Sequence, residues 1–156
     1  MKARWLFLIA FALVCYGNGA AFIESFVNYP SWHLIGSAEF APYHHFIAPR
    51  VFAFLVAPML LGTVFTILLL WFRPPQVPSL AVWVAIALQT IVWASTAAIQ
   101  IPIQVQLSSR GMSLPLLERL IETNFWLRRI PYAACGGLFL WMASRILRTD
   151  GQGRAA

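Results

Sequence analysis

Residues 51–72 read VFAFLVAPMLLGTVFTILLLWF, 22 positions without a charge, bracketed by Arg50 and Arg73. A bilayer's hydrocarbon core takes about 20 largely apolar residues in helical form. In that medium a helix satisfies its own backbone hydrogen bonds, so the stretch is read as a membrane-spanning helix. Three more segments share its character: residues 5–27, after Lys2 and Arg4; residues 79–104, after Arg73; and residues 127–146, charge-free from Ile130 to Ser144.

Composition agrees. The chain is 60% hydrophobic, 15% aromatic and only 10% charged, whereas soluble domains carry about 25% charged residues. Eleven basic and five acidic side chains cannot coat a water-soluble surface of 156 residues. Disorder is excluded, because disordered chains are poor in apolar side chains. The net charge of +6 sits beside apolar runs, which marks membrane topology and excludes a nucleic-acid partner.

The expected fold is all-α: an integral membrane four-helix antiparallel bundle filling residues 1–147, with a polar tail at 148–156. A loop from Asn28 to Arg50 and an amphipathic helix at about 115–127 are expected to cap one end. Arg73-Pro74-Pro75-Gln76-Val77-Pro78 is a short, proline-stiffened turn between spans two and three. A secretory signal peptide is the competing reading of the first segment. Its apolar run is long for a signal, however, and Phe22 and Ile23 continue it. Lys2 and Arg4, Arg73, and Arg145, Arg148 and Arg154 fall on one side of four spans, which the positive-inside tendency makes cytoplasmic. Cys15 and Cys135 are read as two buried thiols, with no spacing for a disulfide framework or a metal.

Polar residues inside such a chain are costly, and their direction carries the functional information. Counting 100° per residue puts Leu13, Gly17, Ala20, Ala21, Glu24 and Asn28 on one stripe of the first span. Small residues mark the face that packs on other helices, so Glu24 is expected to point inward. Gln89, Trp93, Thr96 and Gln100 align on the third span, and Gln104 continues the line. In the amphipathic helix, Asn124 and Arg128 lie in the apolar arc, whereas Arg129 falls opposite, a solvated charge beside Glu122. Glu24 and Arg128 are expected to form a buried ion pair, either fixing helix register or handling a substrate or proton.

His33, His44 and His45 share one loop with Tyr29, Trp32, Phe40 and Tyr43. Metal or haem ligation, proton transfer and interfacial hydrogen bonding are all open to these histidines. No metal-ligand spacing is present, so no metal is assigned, and no cofactor is identified. The aromatic residues fit an interfacial belt as well as the lining of a flat apolar ligand.

Phe22-Ile23-Glu24-Ser25-Phe26-Val27-Asn28-Tyr29-Pro30, Ile101-Pro102-Ile103-Gln104-Val105-Gln106-Leu107 and Glu122-Thr123-Asn124-Phe125-Trp126-Leu127-Arg128-Arg129 together resemble segments of small bacterial four-helix membrane proteins. They are distantly similar to the anthrone-oxygenase-like membrane family. The resemblance implies a bacterial inner-membrane protein, and the positive-inside tendency places both its termini in the cytoplasm. It further implies oxidation of polycyclic phenolic anthrones without metal or flavin. Asn124 and Arg128 match that family's polar pair before its last helix, and Glu24 the polar residue closing its first.

The expected site is a polar pocket in the outer leaflet. Glu24, His44, Asn124 and Arg128 are its candidate catalytic residues. Asn28, Tyr29, His33, Tyr43, Trp93 and Gln100 are candidates for binding. Arg128 and Asn124 would stabilise a phenolate or enolate oxygen, with His44 or Glu24 as base. The expected activity is that of a small oxidoreductase on an apolar aromatic or quinone-like molecule. The alternatives are a non-catalytic subunit of a respiratory or photosynthetic membrane complex, and a small transporter or ligand-binding module. The lipid bilayer is a partner in every case.

Overall fold

The computed structural model describes residues 2–152, with side chains as far as Arg148. Among the described residues the chain is all-helical, without strands. Four long helices account for nearly all of it: α1 (Lys2–Leu34), α2 (Ser37–Phe72), α3 (Ser79–Arg110) and α4 (Leu114–Arg148). Each is long and apolar enough to cross a membrane. The helical backbone of α4 continues to Gln152, so the expected polar tail begins as helix. The rest of that tail, residues 153–156, lies outside the described residues.

Each helix is longer than the span expected within it. At about 1.5 Å per residue the four are roughly 50 Å long, well beyond the ~30 Å hydrocarbon core. The loop expected at residues 28–50 is helical except at Ile35 and Gly36, where α1 ends and α2 begins. The amphipathic helix is the first third of α4 and not a separate cap. In both places a proline, Pro30 and Pro131, lies within a continuing helix.

The connections are short. Val77 N–H donates to the Pro74 carbonyl (3.0 Å) in the turn between α2 and α3. Arg145 of α4 ties onto this turn through Gln76 O at 3.2 Å. Gly111 ends α3 with φ +83° and ψ −171°, a conformation open in practice only to glycine.

The interior divides along the helix axes. Near the termini, Phe7, Val14, Leu69, Ala85, Phe139 and Met142 form an apolar core, with the Phe7 and Phe139 rings stacked at 5.9 Å and a buried Gln89–Thr66 hydrogen bond (3.0 Å) at its inner edge. Midway, Gly17 lets α1 approach closely, since a Cβ there would lie 2.5 Å from the Tyr132 hydroxyl and 2.9 Å from Met59. At the far end Tyr29, Trp32, Phe40, Leu107, Leu117 and Leu120 form a second, aromatic-rich core. The packing partners also change. Near the termini α2 lies against α1, whereas its first part, Ser37–Val51, leans on the last turns of α3.

Candidate functional site

Between the two cores every helix does the same thing. Five residues form a π turn in each: Glu24–Asn28, Phe52–Val56, Thr96–Gln100 and Phe125–Arg129. The second residue after each turn is a proline: Pro30, Pro58, Pro102 and Pro131. Proline has no N–H to donate, and its ring presses on the carbonyl four residues earlier. The widened turn accommodates it. The N–H groups of Tyr29, Ala57, Ile101 and Ile130 reach back five residues to the carbonyls of Glu24, Phe52, Thr96 and Phe125. Neighbouring helices take up two of the freed carbonyls. Tyr16 donates its hydroxyl to Phe54 O (2.7 Å), and Ser95 to Leu127 O (3.2 Å).

The extra residue in each turn changes which side chains face inward. In α1 the buried series Phe7, Ala10, Val14 and Gly17 leads to Glu24, and a second series starts at Ser25 and continues through Tyr29 and Trp32. In α4, Leu117, Leu120 and Asn124 lead to Arg128, and the next series is Arg129, Tyr132, Cys135 and Phe139. Two neighbours from each helix therefore turn toward the interior. This overturns the expectation for Arg129. It is 4% exposed, its guanidinium carbon lies 3.4 Å from the centroid of the Phe22 ring, and its Nε and Nη1 lack hydrogen-bond partners. Glu122, its expected companion, is exposed. A cation over an aromatic face is stabilised without a carboxylate.

All four π turns line one cavity of about 320 Å³, within the range of small-molecule sites. Glu24, Tyr29, His44, Trp93, Gln100 and Arg128 lie on its wall, together with Trp32, Thr96, Gln104 and an apolar side from α2 and α3. A smaller space of about 10 Å³, room for roughly one water, lies among Glu24, Ser25, Asn124, Arg128, Arg129 and Tyr132.

Glu24 and Arg128 border both spaces, but the expected direct ion pair does not form. Asn28, one helical turn on, donates to Glu24 Oε2 at 2.6 Å. Arg128 Nη1 instead donates to the Tyr29 hydroxyl at 3.4 Å, and Gln104 Nε2 donates to the same oxygen at 3.4 Å. The Tyr29 proton is thereby left to point elsewhere. Gln104 Oε1, an acceptor only, meets His44 Nε2 at 2.5 Å, so that ring nitrogen donates. His44 Nδ1 then accepts the Ser108 hydroxyl at 2.6 Å. One hydrogen-bonded chain thus runs from Arg128 through Tyr29, Gln104 and His44 to Ser108.

Other expected site residues fall outside the larger cavity. Asn124 is buried and donates to Ser25 Oγ at 2.8 Å, tying α4 to α1. Asn28 acts on Glu24 alone. Tyr43 packs edge-on to Trp32 at 6.5 Å, within the far core. His33 and His45 are exposed, whereas His44 is buried against Trp32 and Phe40. Among the described residues no three His, Cys, Asp or Glu side chains converge. Cys135 is buried as expected, but Cys15 is exposed on the helix surface.

Ser25, Trp32, Gln104, Ser108 and Arg129 belong to the site beside the expected residues. Gln104 was within reach of the sequence, because it continues the Gln89–Gln100 stripe. Arg129 and Ser25 become legible only once each proline is given a π turn before it. No family model, curated protein or solved structure matches this chain.

Proposed function

We propose that the chain is a four-span antiparallel membrane protein whose polar cavity binds an apolar aromatic or quinone-like molecule and promotes its oxidation. The carrying observation is the convergence of Glu24 and Arg128 on one ligand-sized cavity inside an otherwise apolar helix assembly. Ionisable groups at such depth are expensive, and their retention favours a functional role.

The chemistry follows from the hydrogen bonds. Asn28 holds one oxygen of Glu24 and leaves the other able to accept a proton. Arg128 makes one long hydrogen bond and has further N–H donors for an oxyanion. Tyr29, accepting from Arg128 and Gln104, has its own hydroxyl proton to give. An anthrone-type ketone that loses a proton from its CH₂ group to Glu24 becomes an enolate whose oxygen is held by Arg128 and Tyr29. The enolate is the electron-rich form that dioxygen attacks. Overall, a CH₂ group becomes a carbonyl and the second oxygen atom leaves as water. Asn124 is a positioning residue in this scheme, acting through Ser25 and α1. The resemblance to the anthrone-oxygenase-like family points the same way.

The proposed location is the bacterial inner membrane, with both termini cytoplasmic and the cavity toward the outer leaflet. Charge asymmetry supports this. Lys2, Arg4, Arg73, Arg145, Arg148 and Arg154 stand against Asp150 alone on the terminal side, whereas Arg50, Arg110, Arg119, Arg128 and Arg129 share the other with Glu24, Glu39, Glu118 and Glu122.

Titration of the purified chain with 1,8-dihydroxyanthrone, followed by tryptophan fluorescence, tests the proposal, because Trp32 and Trp93 line the cavity. Arg128→Leu is expected to lose about a hundredfold or more in turnover, the usual scale for removing an oxyanion donor. Glu24→Gln should bind anthrone within about threefold of wild type yet form no anthraquinone. A wild-type protein that neither binds nor oxidises the anthrone would contradict the proposal.

A further inference from the structure

The larger cavity is polar at one end and apolar at the other. Its apolar side is made by α2 and α3, where Ala48, Phe52, Ala97 and Ile101 border it and are themselves exposed, Phe52 by 59% and Ile101 by 53%. The cavity therefore opens sideways between two helices rather than along the axis of the assembly. The two alanines leave the gap, since larger side chains there would fill it. Around the same level the outward residues of the other helices are also apolar: Phe22 and Phe26 of α1 and Phe125 and Trp126 of α4. A mouth in such a surface faces acyl chains.

The polar end has unmet needs. Trp32 Nε1 and Gln100 Oε1 are buried without hydrogen-bond partners, in side chains only 2% and 1% exposed, and both residues line the cavity. One requires an acceptor and the other a donor, and a hydroxyl oxygen on a ligand supplies both.

We infer that the ligand is a membrane-resident amphiphile which seats a hydroxyl-bearing head at the polar end and runs an apolar chain out between α2 and α3 into the bilayer. This rests on the functional reading above and adds to it the apolar chain and the path it takes. A head without a chain fits wholly behind the mouth. A head with one must keep the mouth open.

Photolabelling of the full chain in phospholipid nanodiscs tests this with two compounds, 4-azidophenol and 2-decyl-4-azidophenol, with labelled peptides located by mass spectrometry. Both are expected to label cavity residues of the wild-type protein. Ala97→Trp, which fills the mouth, should cut labelling by the decyl compound about tenfold or more while leaving the chain-free compound within about twofold. Ala48→Phe, from the opposite lip, should repeat the pattern and guards against a folding defect of the first variant. Equal losses for both compounds, or no loss for either, would overturn the apolar chain's path through the mouth and leave the functional reading standing. Wild-type protein that neither compound labels would overturn both.

Discussion

The two ends of these four helices are built differently. Near the termini the helices are regular, and their interior of Phe7, Leu69, Ala85, Phe139 and Met142 is apolar apart from Thr66 and Gln89, which hydrogen-bond each other beside Cys135. Beyond the middle each helix makes one π turn, and the interior then gathers Glu24, His44, Gln100, Asn124 and Arg129. Hydrophobicity alone does not separate the halves, because both have apolar outer surfaces. The proline two residues past each π turn does. The turns in α1 and α4 each bring an extra neighbour inward, and residues of all four turns line the cavity.

Core deletions should break the comparison most strongly. Phe139→Ala removes a fully buried ring and is expected to cost about 3–5 kcal/mol of stability, measured by thermal or denaturant unfolding in detergent. Because the cavity lies in the other half, the anthrone affinity of protein that remains folded should change by less than about twofold.

Pro131→Ala probes the device itself. With an N–H restored, an ordinary helical turn becomes available through 125–129, and Arg128 and Arg129 can no longer both face inward. Turnover should fall about tenfold or more through lost positioning. Deuterium exchange across 135–146, in the apolar half, should stay unchanged. A variant with wild-type turnover would show that the π turn in α4 is dispensable.

Gly111→Ala should cost about 1–3 kcal/mol, since the position has open space for a methyl group but a backbone conformation that side chains rarely adopt. The loss is measurable as a lowered unfolding midpoint. Smallest is Ser95→Ala, which leaves the Leu127 carbonyl without its hydroxyl donor. Hydrogen bonds of this kind between membrane helices contribute about 0.6 kcal/mol, so a double-mutant cycle with Pro131→Ala should reveal a coupling of that order.

What could be read from the chain, and what could not, follows the same division. Hydropathy found all four helices, because about 20 uncharged residues leave little choice. The inward direction of Glu24, Gln100 and Asn124 followed from helical spacing. Helix ends were misplaced near Asn28 and Leu127, where each span was cut to the length of its apolar run although the helix continues. Counting a uniform 100° per residue through Phe125–Arg129 sent Arg129 outward, although the turn there holds more residues. The exposure of His45 and burial of its neighbour His44 depended on α2 starting as early as Ser37, inside what looked like a loop. The long-range bond from His44 to Gln104 could not be read at all, because it joins residues 60 positions apart.

The central claim is that the π turns open one cavity which holds a small amphiphile beside Arg128. Native mass spectrometry of the protein gently released from its own membrane tests it most directly. The account predicts wild-type protein carrying one non-covalent small molecule, and Arg128→Leu protein of the same fold carrying none. Wild-type protein at its bare chain mass, or an adduct retained equally by the variant, would contradict it.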